Sequence, residues 1–386
     1  MKNHKKILII TEFFFPEEFK INDIAFSWKE KGYEIDVLTL TPSYPFGEVF
    51  PGYKNKLFSN EIYKGVNIYR VRAITGYKNS LFKKILKYIN FMFFGSILAI
   101  FIGKKYDYVF GFNLGSLTDM LPVVIIKKLY KTPTMLWVQD IWPDSVYAYG
   151  FKKTKLLSFF LNIYVKFIYS NITTFALTSK GFEKKLIPYV TNNLNFIYAP
   201  NWADTLDMDV DPVNLSHTNK THFTFAGNIG KVQNLENIIH AFHSLSEFYK
   251  SIAQLNIVGD GSNLKKLKKL FTSEDSIIFH GKQTRLDMAK YYKASDFLIV
   301  SLIDEPIFSL TVPAKTQTYI AAKKPILAVI NGETADIIND NNLGLTVDPS
   351  SISHITEVLE KCINMSEYER SKFVINNSEL LDQTFN

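Results

Sequence analysis

The chain has 386 residues, 47% of them hydrophobic, with 32 Phe, 21 Tyr, one Cys and a net charge of +7. That length exceeds what one core serves and predicts two domains of roughly 150–200 residues each. The lone Cys362 excludes a disulfide framework, and no basic–apolar–small leader pattern opens the chain, so the expectation is a cytoplasmic protein.

In chain order, "KILII" (6–10) reads as a fully apolar strand, followed by a loop through Phe13–Phe15 and Pro16 and a helix over 22–31. "YEIDVLTL" (33–40) is a second strand, closed by the turn-rich "TPSYPFGEVFPGY". Further strands are predicted at 67–72, 106–112, 134–139, 172–177 and 195–199. A polar break covers 201–222, and the pattern then restarts. Strands are expected at 223–226, 254–258, 277–280, 297–301, 326–330 and 345–347. The intervening helices are 235–250, 263–271, 285–294 and 313–323, with two more over 353–364 and 367–382. Continuous apolar strands between helices indicate parallel sheets covered on both faces. The expected fold is α/β, with two doubly wound, Rossmann-like domains facing a central cleft. The divisions are 1–200, a linker at 201–222, 223–366, and a C-terminal helix at 367–386 packing back on the first domain.

The charge is uneven: residues 1–200 carry 27 Lys+Arg against 14 Asp+Glu, and residues 201–386 carry 17 against 23. The excess is densest in 51–105, with 11 basic residues and one acid, Glu61. A nucleic acid is one class of partner for such a patch. Here, however, the lysines flank "LFKKILKYINFMFFGSILAIFIGKKY", in which Tyr88–Gly103 is 16 uncharged residues. That is short of the ~20 a bilayer span needs. The segment 81–105 therefore reads as a helix lying in a membrane interface, with no nucleic-acid partner. A buried core helix is the alternative.

Several turns in the second half share one form. "TFAGNIGKVQNLENII" passes from strand to helix through Gly227, Asn228 and Gly230, and "LNIVGDGSNLKKL" does so through Gly259 and Gly261. Such glycines either let backbone approach a phosphate or merely punctuate the chain. "TVPAKTQTYIAAKKPILAVINGE" enters a helix whose stretch 311–324 holds three lysines and no carboxylate. The start of that helix, Thr311, Val312, Lys315 and Thr316, offers N–H groups and a point charge suited to a diphosphate. An ordinary solvated lysine is the other reading. In the first half, "WVQDIWPDSV" leaves a strand end with Gln139, Asp140, Trp142 and Asp144. Asp140 either faces positive charge on a ligand or caps the next turn. Asp144 divides between a helix cap and a ligand contact, and Trp142 between a ring exposed to a ligand and the core. Glu17 and Asn22, in the loop after the first strand, are candidates for touching a ligand or remain loop residues. Glu333 either contacts a ligand or caps its helix. The histidines, His4, His217, His222, His240, His243, His280 and His354, show no metal-ligand spacing, so no metal site is expected.

The second half resembles the donor-binding domain of glycosyltransferase family 4, of GT-B architecture, in "GNIGKVQNLENIIHAF", "IVGDGSNLKKL", "IIFHGKQTRLDMAKYYKASDFLIVSL" and "VPAKTQTYIAAKKPILAVINGETADII". The first half resembles the WbuB-like branch of O-antigen and capsule transferases in "ILIITEFFFPEEFKINDIA", "TPSYPFGEVFPGY" and "VQDIWPDSV". The resemblance implies an anomer-retaining glycosyltransferase with a UDP-sugar donor carrying an N-acetylated deoxyhexose such as N-acetylfucosamine. It implies that Gln139 and Asp140 stand near the reacting sugar, with Asp140 stabilising charge at the anomeric carbon, that Glu333 meets the donor sugar, and that Glu17, Asn22, Trp142 and Asp144 meet the acceptor. It implies no metal and no cofactor. The implied acceptor is an undecaprenyl-diphosphate-linked saccharide at the inner face of the cell membrane. It places Gly227, Gly230, Thr311 and Thr316 against the diphosphate, Gly259 and Gly261 behind the nucleotide, and the backbone at Gly281–Lys282 against the base. Two glutamates of the pattern are replaced here by Leu310 and Thr318. The second binds ribose, so a neutral contact from Gln317 or Thr318 is expected instead. Asn228 and Gln233 stand where relatives carry Arg and Lys, which leaves Lys231, Lys282, Arg285 and above all Lys315 for the phosphates. The alternatives are a GT-B sugar-nucleotide epimerase and a non-catalytic UDP-sugar or membrane-surface binding protein.

Overall fold

The computed structural model describes all residues but 1–4, 78–79, 149, 191–194, 205, 216–219, 272–273 and 386. His4 and His217 lie outside the described residues, as do parts of the 201–222 segment. The chain divides into two units, Met1–Ala199 and Pro200–Asn386.

The first unit is built on eight strands: β1 (Lys6–Thr11), β2 (Glu34–Leu40), β3 (Phe58–Tyr63), β4 (Val66–Val71), β5 (Tyr108–Asn113), β6 (Thr134–Val138), β7 (Thr174–Leu177) and β8 (Phe196–Tyr198). Their order is β3-β4-β2-β1-β5-β6-β7-β8. β1 lies at the centre, parallel to β2 and to β5, with Ile9 opposite both Val37 and Phe110. Leu8, Ile9 and Ile10 are fully buried, which is why these strands read as unbroken apolar runs. β3 was not foreseen. It pairs antiparallel with β4 across Lys64–Gly65, whose φ values of 45° and 74° suit a type I′ hairpin. Being an edge strand, it alternates exposed and half-buried residues and lacks the apolar signal. Arg70 of β4 ties this edge to the sheet, bonding Glu61 and the carbonyls of Leu40 and Phe15.

The helices of this unit are α1 (Lys20–Glu30), α2 (Leu81–Asn90), α3 (Ser96–Ile102), α4 (Leu121–Tyr130), α5 (Asp144–Ala148), α6 (Lys155–Tyr169) and α7 (Phe182–Leu186). A π turn, Phe91–Gly95, joins α2 to α3 in one helical run that ends at Lys105. Its stretch Phe82–Lys105, 24 residues, is long and apolar enough to cross a membrane by length and composition alone. One side of it, however, is packed on the sheet. Lys87, Asn90, Phe91 and Ser96 are buried, and Asn90 donates to the carbonyl of Arg72 at 2.7 Å.

The second unit contains β9 (Thr221–Ala226), β10 (Ala253–Val258), β11 (Ile277–Gly281), β12 (Phe297–Ser301), β13 (Ile326–Val329) and β14 (Gly344–Val347), all parallel. The order β11-β10-β9-β12-β13-β14 is the 3-2-1-4-5-6 arrangement of a doubly wound sheet. The order reverses between β9 and β12, where loops at the carboxyl ends diverge and a ligand fits. The helices are α8 (Leu235–His243), α9 (Glu247–Ile252), α10 (Leu264–Leu270), α11 (Arg285–Ala294), α12 (Ala314–Ala321), α13 (Glu333–Asp340), α14 (Ile352–Asn364), α15 (Glu367–Ser371) and α16 (Asn377–Leu380). The helix expected over 235–250 is two, because Ser246 caps a fresh start at Glu247, its hydroxyl accepting from Tyr249 N. The helix expected over 367–382 is broken into short helical turns, and several of their contacts lie within the second unit. Arg370 pairs with Asp296, Asn377 donates to Ile320 O, and Phe385 O accepts from Ala203 N.

Candidate functional site

The second unit gathers most of the expected donor residues in the loops and helix starts that follow β9, β10 and β12. Gly227 ends β9 at φ 130° and is exposed with Asn228. A side chain on Gly259 (φ 143°) would strike the Gly227 carbonyl, its Cβ falling 1.8 Å from that oxygen. Gly261 meets the Ile229 carbonyl in the same way. Amide bonds Gly227 N to Val258 O and Ile229 N to Asp260 O lock the two turns together. Gly259 and Gly261 are therefore required for loop-on-loop packing, a sufficient reason for glycine without a ligand. Gly230 donates its N–H to Gln233 Oε1 at 2.9 Å, and Asn228 Nδ2 reaches the same oxygen at 3.4 Å. Gln233 thus braces the turn.

α12 starts after Pro313, which has no N–H, and its first amides, those of Ala314 and Lys315, precede any carbonyl of the helix that could accept them. Thr316 N is already bonded to Pro313 O, and Thr311 spends its N–H on Phe308 O and its hydroxyl on Ile307 O. The free amides are fewer than the sequence suggested. Val312 is buried and Lys282 exposed.

Lys315 differs most from expectation. Its stem is half-buried but its Nζ is fully enclosed and has no hydrogen-bond partner among the described residues. The ammonium sits 3.6 Å from the Phe225 ring centroid and 3.3 Å from where a Cβ on Gly227 would stand. It lies directly beneath the Gly227 turn. Burial lowers its pKa from 10.5 to about 7.

Gln317 and Thr316 turn inward and are fully buried. With its amide set to satisfy its surroundings, Gln317 Nε2 donates to Ala314 O and Pro313 O at 2.9 and 3.1 Å, so it makes no outward contact. Thr318 Oγ1 instead donates to Asp204 Oδ2 at 3.1 Å. Asp204 is half-buried in the segment leading into the second sheet, and its charge helps to raise the Tyr292 pKa, after burial. No sequence signal linked it to α12, 114 residues away. Glu333 opens α13 half-buried, and the next residue, Thr334, donates its hydroxyl to Thr311 O at 2.9 Å. That bond brings the Glu333 turn beside the approach to α12.

In the first unit the candidate acceptor residues are mostly committed to structure. Glu17 accepts N–H bonds from Tyr44 (2.7 Å), Ser43 (2.8 Å) and Phe14 (3.4 Å). Burial raises its pKa to about 7 against the pull of those amides. Asn22 accepts from Phe15 N and donates to Glu17 O. Both clamp the loop after β1, which is why acids stand there. Asp140 Oδ2 accepts from Gly115 N at 3.0 Å, and Trp142 Nε1 donates to Gly115 O at 2.6 Å. Together they grip the loop after β5, so Asp140 is no cap of its own turn. Burial raises the Asp140 pKa to about 6, with the Gly115 N–H acting the other way. Asp144 pairs with Lys185 at 3.0 Å, and Gln139 extends β6 through its N–H to Asn113 O.

A buried cluster escaped the sequence reading. Glu12, at the end of β1, pairs with Lys87 of α2, whose ammonium also lies 4.5 Å from the Tyr77 ring and 4.7 Å from Phe13. Burial opposes the charged amine, yet Glu12 outweighs it and holds Lys87 above its usual range. Fully buried Asp119 stands beside the pair, its pKa raised by burial and by the Glu12 charge. Neither acid was singled out, because each sits among apolar residues.

Residues 209–379 match the family model described as glycosyl transferases group 1, a little under half of the chain. The chain is 27% identical over 240 residues to the probable glycosyltransferase WbjE of Pseudomonas aeruginosa, covering 59% of each. It is 24% identical over 254 residues to the putative colanic acid biosynthesis glycosyl transferase WcaI of Escherichia coli K12, covering 62% of this chain and 61% of that one. The match thus spans about three fifths of each curated relative's length. Among solved structures, sucrose-phosphate synthase from Thermosynechococcus elongatus superposes with a TM-score of 0.74 at 14% identity, over 99% of this chain and 95% of that one. Anabaena HepE, solved with UDP and glucose, gives 0.68 at 14% identity over 99% and 96%. The two Rossmann-like sheets and these likenesses establish the GT-B fold.

Replacing the Lys315 amine with an apolar side chain removes a buried, unpaired charge. Lys315→Met is expected to stabilise the second unit by roughly 1–4 kcal/mol at neutral pH. Between pH 7 and 10.5 the unfolded chain holds the Lys315 proton and the fold does not, so wild-type stability rises with pH there. Below pH 7 the whole penalty applies. Urea denaturation across this range reads both effects, and a destabilised Lys315→Met protein would contradict the assignment.

Proposed function

We propose that the chain is a glycosyltransferase that moves a sugar from a UDP-sugar to a lipid-linked saccharide during polysaccharide assembly. One observation carries this reading. Lys315 Nζ is buried without an anion, directly under the glycine turn and beside the first amides of α12. A fold does not keep such a group for stability; a diphosphate at the turn supplies its counter-charge. The matched family covers this stretch, both curated relatives are named as glycosyltransferases, and HepE was solved with UDP.

In this reading the Ala314 and Lys315 amides and the Lys315 ammonium take up negative charge as UDP leaves, in place of a metal ion. Asp204, held by the Thr318 hydroxyl, offers the ribose a carboxylate, the group the resemblance places at 318 itself. Glu333 meets the transferred sugar. Asp140, in the first unit, stabilises charge at the anomeric carbon. The finer assignments belong to the same proposal: the WbuB-like branch, an N-acetylated deoxyhexose donor, an undecaprenyl-diphosphate-linked acceptor, family 4 membership and retention of configuration. So does a location on the cytoplasmic membrane face through the helical run 81–105.

Incubation with UDP-sugars and membrane lipid acceptor should release free UDP. Binding of UDP without release would favour the non-catalytic alternative. Lys315→Met should weaken UDP binding at least tenfold. Wild-type binding should take up protons above pH 7, as calorimetry in buffers of different ionisation enthalpy would show, because UDP raises the Lys315 pKa. Affinity is then flat below pH 7 and declines as pH rises. Asp204→Asn should weaken UDP binding several-fold yet leave pyrophosphate binding alone; equal losses for both ligands would remove the ribose assignment.

Asp140→Asn retains an oxygen for the Gly115 N–H and loses only the charge. About a 10²-fold fall in kcat is expected. Wild-type turnover should fall as pH drops below about 6, where the Asp140 carboxylate takes a proton. Unchanged turnover in Asp140→Asn would leave Asp140 with its structural role alone.

A further inference from the structure

Helix α6 contradicts its position at the surface of the first unit. Its inward side packs through Val165, Ile168 and Tyr169, all fully buried. Its outward side is also apolar: Leu156, Phe159, Phe160 and Ile163 are 69%, 60%, 59% and 53% exposed. Their spacing is i, i+3, i+4, i+7, a single stripe along the helix. Ser158, Asn162 and Lys166 confine the polar surface of α6 to one narrow stripe, so a broad apolar stripe beside it faces outward without a partner among the described residues.

The stripe does not stand alone. Tyr164 of α6 reaches Met92 of the π turn between α2 and α3, Oη to Sδ at 4.0 Å, and donates to Thr118 O at 3.4 Å. The neighbouring run exposes its own large apolar groups, Phe82 (73%), Phe93 (57%) and Phe101 (79%). Charge gives the second indication. Residues 145–182 contain five lysines and no Asp or Glu, and residues 62–106 contain nine basic residues and no acid. Lys83, Lys84, Lys152, Lys153 and Lys155 are exposed at the ends of the helices. An apolar face whose own segments carry ammonium groups and no acid complements a layer of acyl chains beneath anionic headgroups.

We infer that α6 and the α2–α3 run form one bipartite surface that seats the first unit on an anionic lipid bilayer, with neither helix crossing it. This rests on the membrane location proposed above and extends it to a helix that the charge and length of 81–105 never indicated. Crossing is opposed by the inward side of the run, where Lys87 is paired with Glu12 and Asn90 is bonded to Arg72 O. Extracting those groups into hydrocarbon would break both pairings. The surface instead dips its outward phenylalanines into the headgroup boundary while the sheet stays in water. Two separated stripes fix the orientation of the unit on the membrane, as one helix does not.

The test is flotation of the full chain with phosphatidylglycerol vesicles and with phosphatidylcholine vesicles. Wild type should float with the anionic vesicles and be released by high salt. Leu156→Ser/Phe159→Ser/Phe160→Ser, all at exposed positions, should bind at least tenfold more weakly while UDP binding is unchanged. An unchanged circular-dichroism spectrum and unchanged thermal unfolding of the first unit show that the variant has folded there, and unchanged UDP binding shows the same for the second unit. Phe82→Ser/Phe93→Ser/Phe101→Ser should lose binding to a similar degree. If wild type binds neither vesicle, the membrane location itself fails and the inference with it. If wild type binds and the α6 variant binds equally well, the location stands and the bipartite surface is overturned. A dimer in solution that the α6 variant dissociates, with vesicle binding intact, would assign the α6 stripe to a second copy of the chain and also overturn it.

Discussion

An amine enclosed where water cannot reach it is stabilised only by giving up its proton or by meeting an anion. Lys315 meets no anion within the described residues: its nearest groups are the face of Phe225 and the backbone of Gly227, so the amine gives up its proton more readily instead. The ring offers a weak attraction, on the order of 1–2 kcal/mol when desolvated. That is less than the penalty for burying a charge. The pKa of about 7 shows the outcome, an amine balanced between its two states near neutrality. An anion arriving at the turn tips that balance, so ligand charge and proton uptake become one event. The rest of the second unit is arranged to keep this ammonium in place. Phe225 supplies the floor and Gly227 the thin roof, while α12 aligns its amides beside them.

The roof depends in turn on the neighbouring loop. Gly259 and Gly261 press against the Gly227 and Ile229 carbonyls, and Gln233 braces Gly230 from the other side. A turn crossed by so many backbone contacts has little freedom to collapse onto Lys315. Rigidity of this kind is what preorganised electrostatics requires, since donors that must first reorient lose much of their advantage. The repeated glycine turns visible in the sequence are therefore two layers of one device: the first faces outward, and the second supports it.

Most of the architecture was legible because parallel strands buried on both faces announce themselves as apolar runs. β1, β12 and β13 are of that kind. What lacked such a signal was lost. β3 is an edge strand with alternating exposure, and α6 carries two apolar stripes, which a search for a single amphipathic face passes over. The site was legible in outline only. Residue types in "TVPAKTQT" pointed to a helix start that holds an anion, but not to Lys315 running under the glycine turn or Gln317 folding back on its own carbonyls. Those are matters of side-chain direction, which the 3.6-residue period limits without deciding. Glu17, Asn22 and Asp140 show the converse. Polar residues at strand ends suggest chemistry, yet backbone amides left unpaired by a turn need acceptors just as much. These side chains supply them.

The question of the missing acid has a structural answer of the same kind. A carboxylate need not come from the helix it serves. Asp204 reaches Thr318 from the segment that enters β9, and the Thr318 hydroxyl spends its donor on it. A glutamate at 318 would carry its charge on the helix, fixed with respect to the α12 amides. Asp204 carries it on a segment that also meets the C-terminal turns, through Ala203 N to Phe385 O. Those turns pack back on α12 through Asn377 and Ile320. The carboxylate is therefore positioned by three parts of the second unit at once: the entering segment, the helix and the chain's last turns. Loosening the last turns should move Asp204 without touching Lys315. In the proposed reading the ribose-facing carboxylate and the phosphate-facing amine are mechanically separable, although both meet α12.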